Sequence, residues 1–358
     1  MTAVNDLRNF QATVAFRRPG RILCYADFVE YLKRRVVAHI GGADPAVRYG
    51  MARSRGVGPR RPEGLPAPDY AKYWKGQTLP EGTRLDGKGV AMVPSGYYHF
   101  WGYISPLRNA TDLRELETYP IEDSAAWDRS GMRAAVEAAH ADGRYAVGWV
   151  GHMFEDAWQI RGLTEFLMDL VEQPAWAECL LERLTQRNLL MATAAAEAGV
   201  DLLRCGDDVA TQNALMFSPD VWRRTMLPRW RRVWQEAKRT HPGIKIWYHS
   251  DGNILDIIPE LMDAGVDILN PVQPECLDVA EVHRRFGGRL VMDGCMGTQT
   301  TMPFGKPQDV RDGVRELIER HGREGGLILS PTHALEPEVP LANIDAFFDA
   351  CREFGTFE

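Results

Sequence analysis

His249 and Asp251 are separated by one residue in the run WYHSDG. Alternate residues of an extended chain point to the same side, so an imidazole and a carboxylate here address one point. A second histidine, His333, closes the apolar run GLILSPT (326–332). Two imidazoles and one carboxylate with open coordination positions suit a divalent transition metal such as zinc or iron. The competing reading is that Asp251 orients His249 or caps a helix starting near Ile254.

Asp207 and Asp208 stand together after VDLLRCG (200–206). Close carboxylates repel, which raises the pKa of one and suits acid–base work. Alternation sends the two to opposite faces, so Asp208 is expected in the site and Asp207 as a cap or ion-pair partner. Glu155, after YAVGWVG (145–151), is the second candidate catalytic carboxylate. Candidate substrate contacts are Tyr97, Tyr98, Trp101, Gln212, Tyr248, Gln273 and Cys295. The aromatic cluster Tyr97, Tyr98, His99, Trp101 and Tyr103 either walls a planar ligand or fills a gap in the fold. Cys295 is either a soft ligand or a small buried residue.

The elements that must position these residues have a clear rhythm from Tyr145 onward. Strand-like runs at 145–151, 200–206, 244–250, 266–272, 289–295 and 326–332 alternate with amphipathic helical patterns. Those patterns cover 162–171, 174–198, 219–239, 254–264, 278–286 and 307–321, with Pro174, Pro219 and Pro307 in first turns and Gly199 and Gly265 at stops. Strand–helix alternation predicts parallel βα units. Six late units and an early strand at 21–28 make seven of the eight needed for a (β/α)₈ TIM-like barrel. The eighth is expected in the first 145 residues, with 46–87 read as loops or an insertion, 89–94 as a short strand and 124–141 as helical. The expected domain is one barrel over 1–358, irregular over 1–144 and regular over 145–355. A doubly wound sheet is the alternative, but no GxGxxG follows any strand-like run. In barrels the active site lies at the C-terminal strand ends, which is where the polar residues above fall.

With 42 basic and 49 acidic residues in 358, the net charge is −7. That balance argues against a nucleic-acid partner. Six cysteines without a CxxC pair suggest reduced thiols and a cytoplasmic protein. No apolar run has the length of a membrane span, and residues 1–11 do not read as a signal peptide. GxSxG, HExxH and P-loop patterns are missing, so the corresponding hydrolase, zincin and NTPase chemistries lack support.

The segments AGVDLLRCGDDVATQNALMFSP (198–219), WYHSDGNILDIIPELMDAGVDILNPVQP (247–274), MDGCMGTQTTMPFGKPQDV (292–310), GLILSPTHALEPEVPLANI (326–344) and RGLTEFLMDLVEQP (161–174) resemble the uroporphyrinogen decarboxylase superfamily, closest to its corrinoid-linked methyltransferase branch. The resemblance implies a (β/α)₈ barrel, a small-molecule substrate and one of two chemistries. Decarboxylases of the family act on a tetrapyrrole without cofactor and grip its carboxylates with an arginine motif after the first strand. Here Arg17, Arg18 and Arg21 precede the strand-like segment. The methyltransferases hold zinc through H-x-C and a later cysteine, and take methyl from a corrinoid carried by a partner protein. By resemblance His249 matches the histidine, Asp251 stands at the cysteine position and His333 falls near the third ligand. A set of nitrogen and oxygen ligands is harder than thiolates and favours an oxygen or nitrogen substrate atom over a thiol. The leading expectation is therefore a metal-dependent methyltransferase of one-carbon metabolism, with a corrinoid protein as partner and a homodimer as assembly. The alternatives are a cofactor-free decarboxylase using Asp208 and a non-catalytic corrinoid- or metabolite-binding barrel.

Overall fold

The computed structural model describes residues 5–96, 100–122 and 124–357. Eleven strands occur along these residues: β1 (Leu23–Cys24), β2 (Ser54–Gly56), β3 (Arg84–Leu85), β4 (Ala91–Pro94), β5 (Trp101–Ile104), β6 (Tyr145–Trp149), β7 (Leu202–Gly206), β8 (Lys245–His249), β9 (Ile268–Val272), β10 (Val291–Met296) and β11 (Leu327–Pro331). Eight form one curled parallel sheet in the order β1-β11-β10-β9-β8-β7-β6-β2. The two ends of this sheet meet where the Ala52 N–H donates to the Cys24 carbonyl, 2.8 Å away. The architecture is the expected α/β TIM-like barrel.

The eighth strand does lie in the first 145 residues, but inside the stretch expected to be loop. β2 is Ser-Arg-Gly, exposed throughout, and has no apolar run to reveal it. The strand expected at 89–94 exists as β4, yet it pairs antiparallel with β3 and β5 in a separate three-stranded sheet. The early strand at 21–28 is only two residues long.

Side chains sort by strand parity into two layers. One set fills the barrel interior: Leu23, Tyr145, Leu202, Trp247, Ile268, Val291 and Ile328. Phe10, on the helix Asp6–Val14, closes its floor by stacking on Tyr145 at 4.6 Å. The other set packs outward against helices, with Trp222, Trp230, Trp234 and Tyr248 fully buried. The helix Pro174–Ala198 starts on its proline and stops at Gly199, which takes φ +84°. The helix expected over 219–239 is two helices, Pro219–Thr225 and Leu227–Thr240, broken at Met226. Pro228 has no N–H to give the preceding turn, and its ring crowds that turn's carbonyl. The pattern at 307–321 ends as α-helix at Leu317 and continues as a π-turn over Ile318–Gly322. Among the described residues no helix is long and apolar enough to cross a membrane.

Candidate functional site

β7 and β8 are neighbours, with Gly206 opposite His249. Gly206 has no room for a side chain, since a Cβ there would lie 2.5 Å from the His249 carbonyl. This close approach brings the residues after both strands together. Asp208, His249 and Asp251 offer one ligand atom each, all within 4.8 Å of one another. The Asp251 N–H donates to Asp208 Oδ1 at 2.8 Å, and His249 Nε2 lies 3.6 Å from the same oxygen. Gly252 follows at φ +87°, with its Cβ position 2.4 Å from the Thr211 carbonyl, so the turn carrying Asp251 is pressed onto the loop after β7.

His249 is oriented from behind. Its Nδ1–H donates to Asn270 Oδ1 at 2.8 Å, which turns Nε2 toward Asp208. Asn270 Nδ2 donates to the Tyr25 hydroxyl at 3.4 Å, and that hydroxyl donates to Asp293 at 3.0 Å. Asp293 is buried and also accepts from Trp247 Nε1 at 2.6 Å and Ser330 at 3.4 Å. Burial raises its carboxyl above the usual range despite these donors. Burial likewise raises Asp208; His249 pulls it down, while the charges of Glu155 and Asp251 push it further up. A buried carboxylate whose charge is disfavoured, as at Asp208, is relieved by a cation.

A second group, His152, Glu155 and Asp207, adjoins the first. The loop after β6 leads into the helix Phe154–Arg161, so Glu155 stands in a first helical turn rather than on a strand end. Asp207 is fully buried and accepts from Met153 N (2.8 Å), Glu155 N (3.1 Å) and Trp230 Nε1 (2.9 Å). From the neighbouring strand it caps the start of that helix, one of the two roles expected of it, while Asp208 lies with His249 and Asp251. Glu155 accepts from the Asp208 N–H at 3.1 Å and pairs with His152 Nδ1 at 2.9 Å. Burial works against charge on both partners. Each nonetheless holds the other ionised: His152 is lifted to about 9, and Glu155 is lowered.

Beside these groups opens a cavity of about 340 Å³. Its walls include Tyr25, Trp149, His152, Arg204, Trp247, His249 and Asn270, with His333 at the exposed edge. Most of these were missed as site residues, although parity marks them. Arg204 is two residues before Gly206, Trp247 is two before His249, and both therefore face inward.

Of the expected metal set, His249 and Asp251 meet, and the third side chain beside them is Asp208; His333 belongs to neither three-residue group among the described residues. Tyr248 points away from the cavity, buried between Trp230 and Trp234, because it has the opposite parity to His249. Cys295 is a buried core residue whose thiol is raised by burial. The Gln273 side chain accepts from Gly252 N at 3.3 Å and holds the turn. Gln212 is exposed and donates to Gln299 at 2.9 Å. Trp101 lies on β5 under Arg84, Cζ 4.1 Å from its ring, and is not among the residues lining the cavity. Tyr97 and Tyr98 fall outside the described residues. The N-terminal arginines are at the other end of β1: Arg21 binds buried Asp6 at 2.6 Å and Arg18 binds Glu324 at 2.8 Å, while Arg17 is exposed.

A family model described as Uroporphyrinogen decarboxylase (URO-D) matches residues 104–354. The uroporphyrinogen decarboxylase of Nostoc punctiforme is 24% identical over 258 residues, 70% of each chain. That of Methylococcus capsulatus is 25% identical over 264 residues, 70% of this chain and 71% of the other. A solved methyltransferase from Methanosarcina mazei superposes with a TM-score of 0.66 at 16% identity, covering 97% of this chain and 98% of its own. At that identity the likeness concerns the fold.

Proposed function

The chain belongs to the uroporphyrinogen decarboxylase family, and on that premise we propose that it is a metal-dependent methyltransferase acting on a small molecule. The observation that carries the reading is the convergence of Asp208, His249 and Asp251 beside a cavity, with the His249 tautomer set by Asn270. One neutral imidazole and two carboxylates form a hard donor set that fits zinc, iron or manganese. Such an ion, when bound, supplies Lewis acidity toward an oxygen or nitrogen of the substrate.

The protein's own groups do the rest. Asn270 accepts from His249 Nδ1 and fixes the ring so that Nε2 points toward Asp208. His152 is protonated at neutral pH and sits within reach of the cavity it lines. His152 Nδ1–H donates to the Gly206 carbonyl at 2.8 Å, with the Glu155 carboxylate beside it at 2.9 Å, and Glu155 links the pair to the Asp208 backbone. Tyr25, Trp149 and Trp247 give the substrate apolar walls. The methyl partner in this reading is a corrinoid carried by a separate protein.

Two features favour methyl transfer over tetrapyrrole decarboxylation. The cavity volume of about 340 Å³ is at the small end of the range for drug-sized ligands, and a four-ringed macrocycle needs more. Arg18 and Arg21 are committed to carboxylates away from the cavity.

Metal content of the untagged full-length protein tests the proposal, measured by mass spectrometry beside His249→Ala, Asp208→Ala and His333→Ala. The expected result is about one divalent ion per chain, lost in the first two variants and kept in the third. A wild type that takes up no metal from a zinc solution, or a His249→Ala variant that keeps it, overturns the reading. Methyl donors and acceptors are then screened with the loaded protein.

A further inference from the structure

Arg204 projects from β7 into the barrel, and its Cζ lies 3.9 Å above the centre of the Trp247 ring. It lines the cavity, and its Nε is buried without a hydrogen-bond partner. Buried Arg161 is matched with Asp169, and the partly buried Arg187 and Arg21 are matched with Asp156 and Asp6. Arg204 has no such partner among the described residues. The nearby buried carboxylate, Asp293, is taken up by Tyr25, Trp247 and Ser330.

A guanidinium carries five N–H donors and keeps its charge. Leaving them without an acceptor in a partly buried position costs free energy. With one face covered by Trp247, the donors that remain lie in the guanidinium plane, the geometry that matches a carboxylate edge-on. Trp247 also stacks with His249, their ring centres 5.8 Å apart at 12°. One aromatic ring therefore touches both the guanidinium and the His249 ring, and all three line the same cavity. Tyr25 and Trp149 add flat apolar surface around the same space.

We propose that Arg204 anchors the carboxylate of a small planar substrate whose other end reaches the ligands His249, Asp208 and Asp251. This names the substrate class of the site described above and rests on that reading. It also separates the roles of the two halves of the cavity. Arg204 and Trp247 hold the molecule, and the residues after β7 and β8 face its reacting atom.

The test uses the full-length chain, zinc-loaded and again after dialysis against EDTA, titrated calorimetrically with benzoate and with its neutral analogue benzamide. Arg204→Gln and Arg204→Lys are titrated alongside, with zinc content measured for each. The expected result is benzoate binding at least roughly tenfold tighter than benzamide to the wild type, with or without zinc, as a charge-assisted pair requires. Arg204→Gln abolishes the preference, Arg204→Lys keeps part of it, and neither changes zinc content. Equal binding of the two probes to the wild type overturns the proposal whether or not a variant folds. So does a preference that survives Arg204→Gln, or one that disappears with EDTA, which assigns the carboxylate to the metal. A preference that depends on Arg204 in a protein that takes up no zinc keeps the anchor and removes the metal reading.

Discussion

Glu155→Gln removes the carboxylate 2.9 Å from His152 Nδ1 and is expected to bring that imidazole down from about 9 toward or below its ordinary value. Burial opposes charge on the ring; Glu155, then Asp207 and Asp156, overcome that opposition. Two unit charges 4 Å apart near a protein surface attract by about 4 kcal/mol. The closer pair here exceeds that before burial subtracts from it. The net lift, from 6.5 to about 9, corresponds to about 3 kcal/mol at about 1.4 kcal/mol per pH unit. Because the folded value is raised, this stability is fully present below pH 6.5 and is lost as pH rises through about 9. The assay is a two-part comparison of EDTA-dialysed wild type and Glu155→Gln. NMR follows the His152 ring across the titration, and urea unfolding is measured at both ends of that window. The wild type is expected to be the more stable at the acidic end, by up to about 3 kcal/mol relative to the gap at the alkaline end. A His152 that titrates near 6.5 in the wild type, or a stability gap equal at both ends, refutes the reasoning.

Three other outcomes follow from the geometry. Asn270→Ala leaves His249 without its orienting acceptor and is expected to weaken zinc affinity by roughly 10- to 100-fold with little change in fold, read by competition with a chromophoric chelator. Gly206→Ala places a Cβ 2.5 Å from the His249 carbonyl, so β8 must shift; zinc uptake should fall while circular dichroism reports a retained barrel. Asp6→Asn removes the charge that a fully buried side chain offers to the partly exposed Arg21 at 2.6 Å and Arg53 at 3.4 Å, at a cost of about 1.5–3 kcal/mol. Thermal unfolding checks it, and a variant that melts with the wild type would show that the pair contributes nothing.

The regular part of the fold was legible because its signals are local. Apolar runs, prolines in first turns and the stops at Gly199 and Gly265 mark the βα units from Tyr145 onward. β2 was not legible, because a three-residue exposed strand next to glycine has no pattern of its own and exists only through pairing with β6. The break at Met226 was readable in principle from Pro228, whose effect on the preceding turn is a local one.

The candidate site divides in the same way. Strand parity, a property of the sequence alone, placed His249 and Asp251 together and put Asp208 rather than Asp207 toward the site. The same parity points Arg204 and Trp247 inward and Tyr248 outward. Which strand ends adjoin is a different kind of fact. β7 lies next to β8 with Gly206 opposite His249, so Asp208 is the neighbour of the imidazole. His333 follows β11, which stands three places from β8 in the sheet, with β9 and β10 between them. Residue type and spacing nominated His249 and Asp251; long-range pairing of the strands decided that Asp208 is the side chain beside them.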